Sequence, residues 1–149
     1  MEWNLLKFDE LDVYRLYEIL KLRVDVFVVE QSCAYPELDT SDQNALHLYA
    51  IKDNEVIAYC RLLPPGEKYD VCSIGRVIVK EKARGTGIAR QLMNKALEEA
   101  ERIYRVETIQ LCAQSHLKNF YSSFGFQTNS DEFDEDGIPH VYMVRNKKV

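Results

Sequence analysis

The spacing of apolar residues divides the chain into short elements. Residues 2–8 place Trp3 and Leu5 on one face and predict a first strand. Asp9 is the expected N-cap of a helix, with Asp12 favouring its first turn. Leu11, Leu16, Ile19, Leu20, Arg23 and Phe27 then follow roughly helical spacing, as two short helices if Val26 to Val29 turns. Residues 31–43 are polar, contain Pro36 and predict an ordered loop. Residues 46–52 and 55–63 flank Asp53-Asn54 and predict a hairpin. Residues 72–80 predict a further strand around the β-branched run Val77-Ile78-Val79.

The clearest helix follows. Ala89, Leu92, Met93, Ala96, Leu97 and Ala100 form an unbroken apolar stripe, and Glu98 with Arg102 forms an i,i+4 pair opposite it. Residues 106–113 predict a strand. Residues 116–124 predict a short helix stopped by Gly125, and Phe126 opens another strand. Residues 131–137 are an acidic loop, and residues 138–144 are the last strand. The order is β-α-β-β-β-α-β-α-β-β. Hairpins in the first half and strand–helix–strand units in the second imply a mixed sheet with a parallel pair and right-handed crossovers.

Size and charge narrow the function. At 149 residues, roughly 70% of the unfolded surface can be buried, so one domain needs no disulfide or metal to fold. The formal net charge of −5 disfavours sequence-independent nucleic-acid binding, which needs a basic face. No stretch approaches the ~20 apolar residues of a membrane span. The first residues lack a basic segment followed by an apolar core, so no signal peptide is expected. Cys33, Cys60, Cys72 and Cys112 form no CxxC pair, and reduced, mostly buried thiols in a cytoplasmic protein are expected.

The sharpest local signal is Arg84-Gly85-Thr86-Gly87-Ile88-Ala89, between a β-branched strand and the amphipathic helix. Glycine lets the backbone approach a ligand closely. The first N–H groups of a helix lack intrahelical partners and carry the positive end of its dipole. Together they suit a phosphate or pyrophosphate, although a tight turn needing glycine for geometry alone has the same sequence. No Gly-Lys-Ser/Thr occurs, which excludes a Walker loop, and a third glycine of the dinucleotide fingerprint is missing.

Arg84-x-x-Gly87-x-Ala89 resembles the acetyl-CoA loop, Q/R-x-x-G-x-G/A, of the GNAT N-acetyltransferase superfamily. Val77-Ile78-Val79 looks like that family's fourth strand, and residues 119–126 are similar to its later F-Y-x-x-x-G-F segment. Residues 26–31, 74–79, 113–121 and 135–140 look like its ElaA-type branch, known mainly as predicted acetyltransferases. The resemblance covers essentially the whole chain. It implies one domain, residues 1–149, of α/β class: a mixed, largely antiparallel sheet flanked by helices, with a parallel strand pair splayed at the acetyl-CoA site.

The resemblance also implies direct transfer of an acetyl group from acetyl-CoA to a primary amine, with no metal. The strand residues Val77, Ile78 and Val79 and the loop residues Arg84, Gly85, Thr86, Gly87, Ile88 and Ala89 would bind the cofactor. Asn119 and Tyr121 would bind it from the later helix. Tyr121 matches the family's tyrosine that protonates the coenzyme A sulfur, and a phenol of pKa about 10 suits that task. It could equally be a core aromatic beside Phe120 and Phe124.

A base must remove the amine's proton. His47 has a suitable intrinsic pKa, and Glu30 follows an apolar run that would raise its own. His140, His116 and ordered water are the other candidates. Cys33 has no activating partner at helical or strand spacing, so a thioester on the enzyme is not expected. Residues 131–136 hold five acids in six positions, and Glu37, Asp39 and Asp42 form a second acidic stretch. These acids are either solvated surface or an acidic mouth that attracts a cationic amine.

The acceptor is a small-molecule or peptide amine, with no nucleic acid or membrane partner expected. Exposed edge strands leave a homodimer open. Two alternatives stand beside the transferase: an acetyl-CoA-binding sensor or interaction module without turnover, and an acyltransferase for longer chains.

Overall fold

Asp53 and Asn54 both adopt left-handed backbone, φ 53° and 60°, as a two-residue type I′ turn requires. They join β2 (Leu46–Lys52) to β3 (Glu55–Leu63), and β1 (Glu2–Lys7) pairs antiparallel with β2. The computed structural model describes residues 1–147. Its strands continue with β4 (Cys72–Val79), β5 (Thr108–Gln114), β6 (Gln127–Thr128), β7 (Phe133–Glu135) and β8 (Ile138–Asn146). They lie in the order β1-β2-β3-β4-β5-β8-β6, with β7 also paired to β8. Only β4 and β5 run parallel among these pairings. The expected mixed, largely antiparallel sheet is what forms.

Alternation along β2 and β3 sends side chains to two cores. Leu48, Ala50, Ala58, Cys60 and Leu62 pack with Leu92, Met93, Ala96, Leu97 and Ala100 of α2 (Ile88–Tyr104). Tyr49 and Tyr59 face the opposite side and pack with Ile19 and Leu22 of α1 (Val13–Val24). Period-2 strands are thus sandwiched between period-3.6 helices.

The structure corrects several boundaries. Asp12 caps α1, its Oδ1 accepting from Arg15 N at 2.8 Å, while Asp9 lies in a 3-10 turn over Phe8–Glu10. Instead of breaking, α1 continues as a π-helical segment over Asp25–Glu30. Arg102 pairs with Glu99, not Glu98. The acidic loop contains β7, and Asp136-Gly137 (φ 52° and 85°) turns β7 back into β8. The strand opened by Phe126 shrinks to β6 at the sheet edge.

Candidate active site

The parallel pair is joined only at its start. Cys72 pairs with Ile109 and Ser73 with Gln110, and beyond them the strands diverge. A bulge in β4 adds to this opening. Tyr59 pairs with Ile78 and Arg61 with Gly75, which leaves one extra residue in β4, and Arg76 there adopts φ 52°. The wedge between β4 and β5 is a cleft of about 360 Å³. Ser73, Ile74 and Val77 line one wall, Leu111, Cys112 and Gln114 the other.

Both elements after these strands start at the open end of the wedge. After β5 comes α3 (Lys118–Ser122), carrying Tyr121 into the cleft. Tyr121 is 7% exposed and packs edge-on against Phe120 and Phe126. Burial pushes its phenol well above its ordinary pKa, so it stays protonated at neutral pH. Asn119 is exposed on the same helix.

After β4 comes the glycine loop. Gly85 and Gly87 hold φ 79° and 85°, and a Cβ at either would meet no atom within 4 Å. The loop is therefore open to solvent, and glycine serves its positive φ, not crowding. No side chain caps α2 at Gly87, which leaves the first-turn N–H groups to an external acceptor. Arg90 ties this turn to α3: its guanidinium lies 4.8 Å from the Phe124 ring centroid, and Nη1 donates to Ser123 Oγ at 3.3 Å. Arg84 Nε donates to the Val79 carbonyl at 2.8 Å. Val77 faces the cleft, and Ile78 packs towards α1.

The two base candidates lie elsewhere. Glu30 is exposed and bonds Arg84 at 3.1 Å, beside the glycine loop and away from Tyr121's cleft. His47 is 1% exposed with both ring nitrogens engaged. Nε2 lies 2.9 Å from the Asp42 carbonyl and must carry the proton, so Nδ1 accepts from the Tyr59 hydroxyl at 2.7 Å. Burial lowers its pKa and keeps it neutral. Neither group lines the cleft. His116 is exposed and also outside it, whereas His140 lines it with Glu135 and Cys112. Cys33 donates to the Asp136 carbonyl at 3.1 Å, and burial, then Asp136 and Asp134, raise its pKa.

The cleft wall holds a feature that no local sequence pattern shows. Arg23, Asp42, Arg61, Asp39, Arg76 and Glu37 close a ring of alternating charge. Arg23 reaches Asp42 and Glu37 at 2.8 Å each. Arg61 bonds Asp42 at 3.0 Å and grips Asp39 through two 2.8 Å contacts. Arg76 reaches Glu37 at 2.7 Å and Asp39 at 3.3 Å. The acids of residues 37–42 are therefore neutralised and largely buried, and are not an acidic mouth. The ring clamps their loop against β3 and β4, where Tyr35, Pro36 and Asp39 complete the cleft. The available signal was Arg23 itself, a charge in the apolar register of a helix.

Comparison with known proteins agrees with this geometry. Residues 17–147 match the model of the acetyltransferase (GNAT) domain. Protein ElaA of Escherichia coli is 43% identical over 97% of this chain and 96% of its own. A UPF0039 protein of Schizosaccharomyces pombe is 44% identical over 91% of each chain. The crystal structure of E. coli ElaA superposes with a TM-score of 0.92 at 42% identity, covering 97% of this chain and 99% of that one. An acyl-CoA N-acyltransferase from Pseudomonas aeruginosa gives the same TM-score and coverage at 39% identity. The chain is an acyltransferase and belongs to the GNAT acetyltransferase family.

Proposed function

We propose that the chain transfers the acetyl group of acetyl-CoA directly to a primary amine. The observation that carries this reading is the splayed β4–β5 wedge, with Tyr121 inside it and the glycine loop at its open end. The loop's open backbone and the uncapped start of α2 suit the pyrophosphate. The edge of β4 beyond Ser73, unpaired with β5, offers backbone groups to an extended, amide-bearing arm.

The Tyr121 hydroxyl donates its proton to the sulfur as the thioester C–S bond breaks. Burial keeps the phenol protonated until the thiolate forms beside it. The proton of the acceptor amine goes to the Glu135–His140 pair. His140 Nδ1 lies 2.7 Å from the Ile138 carbonyl and must donate to it. In the neutral ring, Nε2 then keeps its lone pair, 3.8 Å from Glu135. This pair replaces His47 and Glu30 as the base because it lines the same cleft as Tyr121.

The test mixes purified protein and acetyl-CoA with a panel of amines and follows free thiol and acetylated product. Amine-dependent thiol release supports the reading. Bound coenzyme A without release would favour the binding module, and faster turnover of longer acyl-CoAs would overturn the acetyl assignment.

A further inference from the structure

We propose that Cys112, Glu135 and His140 bind a divalent metal ion of the Zn²⁺ class in the cleft wall. Among the described residues, this is the one group of three such side chains whose ligand atoms all lie within 4.8 Å of one another. The sheet builds it. Cys112 of β5 is opposite Tyr142 of β8, His140 lies two residues before Tyr142, and Phe133 of β7 is opposite His140 with Glu135 two residues on. Steps of two keep all three side chains on one face of three neighbouring strands.

The distances suit the ion. Zn²⁺ takes sulfur at about 2.3 Å and nitrogen or oxygen at about 2.0–2.2 Å, so tetrahedral ligand atoms stand roughly 3.4–3.6 Å apart. Here Cys112 Sγ lies 3.4 Å from Glu135 Oε2, and His140 Nε2 lies 3.8 Å from the same oxygen, while Sγ and Nε2 stand within 4.8 Å of each other and draw together on the ion. His140 also has the support of a metal-binding imidazole. Its Nδ1–H is held by the Ile138 carbonyl, which fixes the tautomer and aims the Nε2 lone pair at the group. The Phe133 ring stacks on it at 6.3 Å between centroids. A thiolate, an imidazole and a carboxylate together suit zinc or cobalt far better than magnesium, which prefers oxygen ligands. Binding releases the Cys112 proton to solvent and leaves the fourth position to water or a cleft ligand. No other role assigned to the cleft uses Cys112.

The ion takes the lone pairs that the proposed transfer uses to deprotonate the amine, so it blocks the acceptor. That consequence rests on the proposed function, whereas metal binding does not.

The experiment titrates the full chain with Co²⁺, without acyl donor or amine, and records the thiolate-to-Co²⁺ charge-transfer band in the near ultraviolet. Zn²⁺ should abolish the band, and excess Mg²⁺ should leave it. Cys112→Ser should lose the band while circular dichroism stays unchanged. His140→Gln should weaken binding by at least about 10–100-fold, the scale for disturbing a metal's ligand shell. A wild-type protein without the band, or a band that persists in Cys112→Ser, would overturn the site. So would equal Zn²⁺ affinity in the wild type and both variants. Absence of amine transfer would leave the titration intact, so the two proposals fail separately.

Discussion

The two ends of the cleft are built from different materials. The glycine-loop end is backbone: Gly85 and Gly87 in left-handed conformations, followed by an uncapped helix start, all within six consecutive residues. The ionic end is side chains: three arginines and three acids drawn from α1, the following loop, β3 and β4, closed into one ring. A backbone site can be disturbed without disturbing the fold, because its groups are exposed. A buried ionic site is part of the core, and removing one member leaves others unpaired in a low dielectric. The two ends should therefore fail differently when substituted.

Tyr121, where the ends meet, gives the largest expected effect. Tyr121→Phe should lower kcat by about 10²–10⁴-fold, the usual scale for a general acid. Coenzyme A affinity and thermal stability should barely change. An unchanged kcat with chemistry rate-limiting would return Tyr121 to a packing role.

At the ionic end the loss should be of stability. Arg23 is 0% exposed and holds both Glu37 and Asp42. Arg23→Met should cost about 3–5 kcal/mol, the range for breaking a buried pair by removing one partner, read from urea unfolding. At the glycine-loop end the loss should be of affinity. Gly87→Val forces a β-branched residue to a positive φ, at about 1–2 kcal/mol of strain, and narrows the approach to the loop. Calorimetry should show coenzyme A binding weakened by about tenfold or more, since a placement misfit of 1.4 kcal/mol is already tenfold. If Arg23→Met instead spared stability, or Gly87→Val spared affinity, the contrast between the two ends would collapse.

The same contrast explains what the chain's sequence reveals. The glycine loop is contiguous, and both its signals are local: residues free to take positive φ, and the start of a strongly amphipathic helix. The Asp53-Asn54 hairpin and the stripe of α2 are local too, and each forms as read. The ionic ring is not local. Its members lie up to 53 positions apart, from Arg23 to Arg76, and pair only once β3, β4 and α1 have packed. Read by composition, residues 37–42 are a solvated acidic stretch. Read in three dimensions, they are counter-ions. His47 shows the same limit: its ring chemistry suits a base, but burial between Tyr59 and the Asp42 carbonyl uses both nitrogens. The location of Glu135 and His140 in the cleft depended on β7, a three-residue strand hidden inside an acidic run.

Acid should expose the ring more gently than substitution. Burial alone would raise Asp42, but hydrogen bonds and charge from Arg23 and Arg61 outweigh it and hold the carboxyl below its ordinary value. Asp39 is held down in the same way by Arg61, then by the Ser41 N–H and by Arg76. Carboxylates depressed in the folded state contribute stability above their unfolded pKa of about 3.9 and lose it as pH falls through the folded value. Stability should thus hold from neutral pH to about pH 4–5 as far as these two groups decide it, then fall. Asp42→Asn should be less stable at pH 7 and show a shallower acid decline. Equal slopes would mean that the ring does not govern acid unfolding.

The smallest effect concerns charge that is not neutralised. Asp134 and Asp136 are exposed on the β7–β8 hairpin, and Asp136 borders the cleft. Unlike residues 37–42, neither has an arginine or lysine partner among the ion pairs of the described residues. Their field reaches solvent, where it raises the encounter rate of a cationic amine and is screened beyond about 10 Å at 0.1 M salt. The acceptor kcat/KM should fall as salt rises. The double variant Asp134→Asn with Asp136→Asn should flatten that dependence without disturbing the hairpin. Asparagine tolerates the φ of 52° at position 136, and its side-chain oxygen at 134 still accepts from Gly137 N. The change should stay within a fewfold, because exposed carboxylates contribute about 0–1 kcal/mol each. An unchanged salt dependence in the double variant would return these acids to solvated surface.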